Sequence, residues 1–264
     1  MDDDVFGQHS SRLRLDWGLA GARAMASPGA DQGRVLFVVV DVLSFSTAVS
    51  VAAERGIEVL PFPWRDERAA EHARRHQAVL ARARSERDVS LSPTSLQNAP
   101  GLERVVLPSP NGSTIALSLA ESGGTVVTAC LRNARAVGEF ARRFLDRAPG
   151  RAVAIVAGGE RRPDGSLRPA VEDLWGAGAV ADAIVGHDDE ASPEAEMAAA
   201  AYRSARDRGP GTLHERLSRC VSGRELITQG FGSDVEIAAE VDVSHLIPVL
   251  EGGRFVGQGL DRPG

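Results

Sequence analysis

The chain has 264 residues, 43% of them hydrophobic, with 28 Gly and 14 Pro, a composition that suits an α/β protein with a sizeable core. Its net charge of −6, with the arginines scattered along the chain, excludes the basic footprint of a nucleic-acid binder. All 30 basic residues are Arg, and without lysine there is neither a P-loop nor Schiff-base chemistry.

No apolar run approaches the roughly 20 residues that span a bilayer, so no membrane association is expected. Met1-Asp2-Asp3-Asp4 lacks the basic and apolar regions of a signal peptide, and a cytoplasmic location is the expectation. Cys130 and Cys220 cannot make a disulfide framework and read as buried thiols.

In chain order, residues 1–33 form an N-terminal arm with a short strand at 13–15, a small-residue helix reaching Met25, and a loop over 27–33. Residues 34–186 alternate strand and helix. The strand at 35–40 has no polar alternation, as in a sheet covered on both faces. A helix at 45–55, a short strand at 58–61, a polar helix at 66–76 and a strand at 78–81 follow. Residues 82–101 are irregular and rich in Ser, Pro and Asn, and loops of that length are usually functional or mobile. A strand at 105–107 is stopped by Pro108 and Pro110, turned by Asn111-Gly112, and continued as a helix at 113–121. Then come a strand at 125–128, a helix at 133–146, a strand at 152–156 and a helix at 171–185. The remainder, 187–264, holds helices at 193–208, 213–219 and 223–229 and a closing hairpin, 246–250 with 254–256, turned over Glu251-Gly252-Gly253. Trp64 and Trp175 read as core. The expectation is a single α/β/α domain over 1–264, three-layered, with a mostly parallel central sheet and a helical C-terminal region.

Ligands of open α/β sheets sit beyond the carboxyl ends of the strands. Four such ends carry polar groups: Asp41 with Ser44, Ser46 and Thr47; Ser109 with Asn111, Gly112 and Ser113; Cys130-Leu131-Arg132-Asn133; and Gly158-Gly159-Glu160 followed by Arg161, Arg162 and the helix-opening pair Glu172-Asp173. Carboxylates suit Mg²⁺, which takes oxygen ligands, while helix N-termini and Arg132 suit an anion. Each element has a plainer reading. Asp41 and Asn133 are good helix caps, Glu172 and Asp173 favour a helix dipole, and Arg161-Arg162 is an ordinary solvated pair. Other phosphatase chemistries fit poorly. Leu43 stands where a haloacid-dehalogenase motif wants a second Asp, and Ala136 and Leu226 stand where a cysteine phosphatase wants Arg.

Asp41-Val42-Leu43-Ser44-Phe45-Ser46-Thr47, Ser109-Pro110-Asn111-Gly112-Ser113, Leu131-Arg132-Asn133-Ala134 and Val171-Glu172-Asp173-Leu174-Trp175-Gly176-Ala177-Gly178 occur in the order and spacing that resembles the 2-phosphosulfolactate phosphatase family, over about 35–250. Ser222-Gly223-Arg224-Glu225-Leu226, Gly230 and Asp234 resemble its C-terminal part. The resemblance implies an α/β/α, Mg²⁺-dependent hydrolase that releases phosphate from 2-phosphosulfolactate, a step towards coenzyme M. Three departures bear on the substrate. Ser44 replaces a common Arg, Ser85-Glu86-Arg87 replaces a Gly-Glu-Arg stretch, and Arg132 occupies a usually apolar position. On this reading Asp41, Glu172 and Asp173 are metal ligands or a carboxylate base. Ser46, Thr47, Ser109, Asn111, Gly112, Ser113 and Asn133 hold the phosphoryl group, and Arg132, with Arg87, meets the acid end. The partner is a small anionic phosphorylated substrate, and a homodimer is compatible. A phosphatase of another phosphorylated hydroxy acid and an inactive anion-binding homologue are the alternatives.

Overall fold

A computed structural model describes residues 6–26, 33–85, 88–185, 191–207 and 212–260. Strand β1 (Leu13–Trp17) leads into helix α1 (Gly18–Met25), then β2 (Val35–Val40), α2 (Phe45–Glu54), β3 (Glu58–Phe62), α3 (Glu67–Arg75), β4 (Val79–Leu80), α4 (Pro93–Gln97), β5 (Arg104–Pro108) and α5 (Gly112–Ala120). After β6 (Thr125–Ala129) a 3₁₀ turn at Leu131–Asn133 opens α6 (Ala134–Asp146), followed by β7 (Ala152–Ala157), the small hairpin β8 (Glu160–Arg161) and β9 (Leu167–Arg168), and α7 (Val171–Ile184). Four helices, α8 (Pro193–Arg206), α9 (Thr212–Arg219), α10 (Val221–Thr228) and α11 (Gly232–Ala238), precede the closing strands β10 (Ile247–Glu251) and β11 (Arg254–Gln258).

The main sheet has nine strands in the order β1-β7-β2-β6-β10-β11-β3-β5-β4. The first four are mutually parallel, as are the last three, and the closing hairpin joins the two blocks by antiparallel pairing on both sides. The sheet is therefore mostly parallel, as expected. The hairpin occupies its middle, whereas the sequence marks it only as a terminal turn.

Alternation along β2 explains how one strand serves two cores. All six residues are buried. Leu36, Val38 and Val40 pack with β1, β7, α6, α7 and α8. Val35, Phe37 and Val39 pack with α1, α2 and α5, and that second core also takes Val59 of β3, Val105 and Leu107 of β5 and Phe255 of β11. Helices α2 and α5 thus lie where both strand blocks meet. This brings the end of β5 to the end of β2, although several strands separate them in the sheet. Each large apolar side chain buried here contributes about 1.5–3 kcal/mol, so this shared core holds the two blocks together. A Phe37→Ala change would cost about 3–5 kcal/mol.

Sequence and structure part company in three places. Trp64 is exposed, its ring covered by the Arg68 guanidinium 4.1 Å from the ring centroid, so it is not core. The irregular stretch contains α4, capped by Ser92 and opened by Pro93. The β8–β9 hairpin has only two residues per strand, too short for an alternation signal. Trp175, Cys130 and Cys220 are buried as expected. Arg87 lies outside the described residues. Among the described residues no helix is long and apolar enough to cross a membrane.

Candidate active site

Three of the four strand ends converge. Asp41, the residue after β2, is buried and spends its carboxylate on two backbone donors: Oδ1 accepts from Phe45 N (3.3 Å) and Oδ2 from Gly112 N (3.1 Å). It thereby caps α2 and ties in the loop after β5. Gly112 is required at that contact, because a Cβ there would lie 2.2 Å from the Phe45 ring. Asp173, in the first turn of α7, reaches the same place from the other side. Its Oδ1 accepts from Val42 N (2.7 Å) and its Oδ2 from Gly159 N (2.8 Å). Gly159 holds a left-handed φ of +64° under Leu167, so any side chain would strain the turn that opens the β8–β9 hairpin. Glu160, on that hairpin, accepts from Asn111 Nδ2 (2.8 Å) and from Arg161 N (3.1 Å).

Glu172 completes the group. It is buried, and its Oε2 has no hydrogen-bond partner. Such an orphaned buried oxygen is costly unless something outside the chain satisfies it. The electrostatics agree. Burial, then the charges of Glu160 and Glu172, push Asp41 up to about 7. Burial, then Asp41 and Glu172, push Asp173 well above the usual carboxylate range. Cys220 stands against the same cluster, its thiol pushed up to about 12 by burial and by Glu172. Four acids thus crowd one place with no Arg paired to them among the described residues, the pattern of a site built to receive a cation.

Among the described residues no three His, Cys, Asp or Glu side chains close round a single point as a ready-made metal cage. Mg²⁺ does not require one, since it keeps several waters and takes one or two carboxylates plus substrate oxygens. The free oxygen of Glu172 and the raised Asp41, whose two backbone bonds are the longer ones (3.3 and 3.1 Å), fit that pattern, and Asp173, held by backbone N–H groups at 2.7 and 2.8 Å, positions the loops around them.

The other expected site residues fall into two sets. Asn111, Gly112 and Ser109 lie on the β5 elbow at the cluster, and the Ser109 hydroxyl has no hydrogen-bond partner among the described residues. In contrast, Ser46, Thr47 and Ser113 have their hydroxyls engaged within the fold. Ser46 Oγ accepts from Asp41 N (2.9 Å) and lies 2.6 Å from Thr128 Oγ1. Thr47 donates to the Val42 carbonyl (2.7 Å) and Ser113 to that of Leu107 (2.9 Å). These three shape the loops rather than offer free donors.

The fourth strand end does not join the cluster. Asn133 Oδ1 accepts from Cys130 N (2.9 Å), and its amide nitrogen donates to the Leu246 carbonyl (3.2 Å), so it ties the end of β6 to the chain entering β10. Arg132 is buried with its Nη2 on both oxygens of Glu54 (2.9 and 2.8 Å), at the far end of α2 from Asp41, and its Nη1 on Glu240. The expected role of Arg132 at the acid end of a substrate is thereby replaced by an internal ion pair, since desolvating a guanidinium favours satisfying it within the fold.

Sequence reasoning did not assign Glu160, Arg84 or Asp234. Arg84 donates to Ser44 Oγ (2.6 Å) and to Asp234 Oδ2 (3.3 Å). Asp234 is fully buried and also accepts from Ser92 Oγ (2.6 Å) and Thr94 N (3.3 Å). No local signal marks Arg84, which sits in the irregular stretch. A depression of about 810 Å³ opens alongside, walled by Ser85, Ser92 and Phe231 among others, but none of the four acids lines it. Unsatisfied charge, not cavity size, marks the chemistry.

Comparison with known proteins shows the family. The 2-phosphosulpholactate phosphatase family matches residues 25–253. A protein of Methanothermobacter thermautotrophicus described as 2-phosphosulfolactate phosphatase is 30% identical over 227 residues, 85% of this chain and 90% of the relative. A Deinococcus radiodurans protein described as a probable 2-phosphosulfolactate phosphatase is 33% identical over 159 residues, 60% of this chain and 61% of the relative. The matched span contains all four converging acids and the β5 elbow, and the chain belongs to the 2-phosphosulpholactate phosphatase family, a family of phosphoric monoester hydrolases.

Proposed function

We propose that the protein hydrolyses 2-phosphosulfolactate to sulfolactate and inorganic phosphate with Mg²⁺, in the cytoplasm, on the route towards coenzyme M. The observation that carries this reading is the orphaned Glu172 oxygen within a crowd of acids at joined strand ends. Family membership supplies the reaction class.

Glu172 and Asp41 would hold the ion, with Asp173 setting their positions. When bound, Mg²⁺ neutralises phosphoryl charge and acidifies an attacking water. The chain's own residues do the rest. The Ser109 hydroxyl and the Ser113 and Thr114 N–H groups, left over in the first turn of α5 after Gly112 N goes to Asp41 and Ile115 N to the Asn111 carbonyl, would meet phosphoryl oxygens. A carboxylate of the cluster takes the proton as the water oxygen bonds to phosphorus. The ester P–O bond breaks, and the leaving oxygen of sulfolactate takes up a proton from the carboxylic acid so formed, which returns to carboxylate. Asn111 keeps Glu160 in place beside this group.

The test is phosphate release from 2-phosphosulfolactate and from a panel of other phosphorylated hydroxy acids, with Mg²⁺ and with chelator. Mg²⁺-dependent release, fastest from 2-phosphosulfolactate, is expected. A better substrate elsewhere in the panel would overturn the substrate, and folded protein that binds these acids without releasing phosphate would overturn the hydrolase.

A further inference from the structure

The negative cluster has a positive counterpart that the mechanism above does not use. Arg84 is mostly buried, with 19% of its side chain exposed, and its guanidinium carbon lies 5.8 Å from the Phe231 ring centroid. Nε is on Asp234 and Nη2 on Ser44, while Nη1 has no partner among the described residues. Ser44 immediately precedes Phe45, whose N–H donates to the Asp41 carboxylate, so Arg84 is fixed to the loop that carries the candidate metal ligand, three positions along from it. Arg65 stands near enough to feel it. Solvent still reaches Arg65, yet packing and the Arg84 charge both hold its guanidinium below the ordinary range. Arg65 makes neither an ion pair nor a hydrogen bond among the described residues. Asp234, whose oxygens already serve Ser92 and Thr94, is the one carboxylate paired with Arg84 among the described residues, and Arg65 lies on the loop after β3, whose Phe62 carbonyl accepts from Ser109 N of the β5 elbow (3.0 Å). Among the described residues no ion pair joins either arginine to the four acids, and Arg84 Nη1 and the whole Arg65 guanidinium are left without a partner.

We propose that Arg84, seated by Ser44 and Asp234, and Arg65 beside it bind the non-transferred acidic group, carboxylate or sulfonate, of the phosphorylated substrate. This rests on the phosphatase reading and adds its specificity. With Mg²⁺ offsetting the acids and meeting the phosphoryl group, an acid group on a neighbouring carbon of the substrate would offset the arginines. The planar fork of Arg84, two arms fixed and one free, is already ordered to receive an oxyanion. Asp234 is a positioning residue that acts through Arg84.

The test compares kcat/KM on 2-phosphosulfolactate with kcat/KM on propan-2-yl phosphate, which keeps the secondary phosphate ester and lacks both the carboxylate and the sulfonate. The proposal expects the ratio of the two to fall about 10- to 100-fold in Arg84→Gln, chiefly through KM for 2-phosphosulfolactate, and about 3- to 10-fold in Arg65→Ala. An unchanged ratio in both variants overturns it while leaving the hydrolase standing. Because Arg84 also neutralises buried Asp234, Arg84→Lys and Arg65→Ala decide the matter if Arg84→Gln does not fold. Should the unaltered protein release phosphate from neither ester, the phosphatase reading fails on its own. Calorimetric titration with sulfolactate then decides: binding weakened threefold or more in Arg65→Ala sustains the arginine site, and absent binding or a smaller change overturns it.

Discussion

The ends of β2 and β6 look alike in the sequence, each an apolar strand followed by small polar residues and a helix start. In the fold they are opposites. At the end of β6, Asn133 and Arg132 spend most of their polar capacity on internal partners, and the result is a joint. At the end of β2, Asp41 is pressed against Asp173, Glu172 and Glu160, with burial and like charge both opposing ionisation. A strand end becomes a site when charge is left over after the fold has taken what it needs.

The sharpest way to break this contrast is Asp41→Asn. Turnover should fall about 1,000-fold or more, several kcal/mol of transition-state stabilisation, while the melting temperature holds or rises because one of the crowded charges is gone. Retained turnover would refute the assignment. Glu172→Gln should lower turnover about 100-fold and raise the Mg²⁺ concentration needed for half-activation, read by titrating the metal. At the joint the signs reverse. Asn133→Ala strands the Cys130 N–H and should cost about 2–3 kcal/mol, roughly 4–12 °C in melting temperature, with kcat of the folded protein within about threefold. A large loss of kcat without loss of stability would move Asn133 into the site.

The smallest effect is in pH. The folded pKa of Asp41 is raised to about 7, above the roughly 3.9 of an exposed Asp, so the folded state holds a proton that the unfolded chain has lost between those values. Its stability contribution is present below about pH 4 and lost as pH climbs through about 7. The Mg²⁺-free protein should therefore lose a few degrees of melting temperature over that range. Asp41→Asn should flatten the slope, and Mg²⁺ should restore the wild-type value above pH 7.

Much of the frame was legible. The six-residue apolar run of β2 and the Gly252-Gly253 turn carry strong local signals, and both appear where expected. Asp41, Glu172 and Asp173 could be singled out because charge next to buried strands and helix starts is conspicuous. Arg132 and Asn133 could not be sorted from them, since a residue that caps and a residue that binds use the same chemistry and differ only in whether a partner arrives from elsewhere. Glu54 and Glu240, which claim Arg132, lie 78 and 108 positions away. Arg84 was hidden for the same reason, its meaning set by Ser44 and Asp234 at distances of 40 and 150 positions.

The central position of β10 and β11 has a consequence for the order in which the molecule can assemble. Among the described residues these two strands come last in chain order, yet they carry the strand pairing between the parallel blocks of the sheet. Emerging from a ribosome, the chain can begin pairing β2, β6 and β7, and separately β3 and β5, but neither half can be registered against the other until residues 247–258 are free. Until then both blocks present raw strand edges, an invitation to mispairing that slow, long-range topologies carry. Completion of the sheet thus waits on the last of its strands to be made.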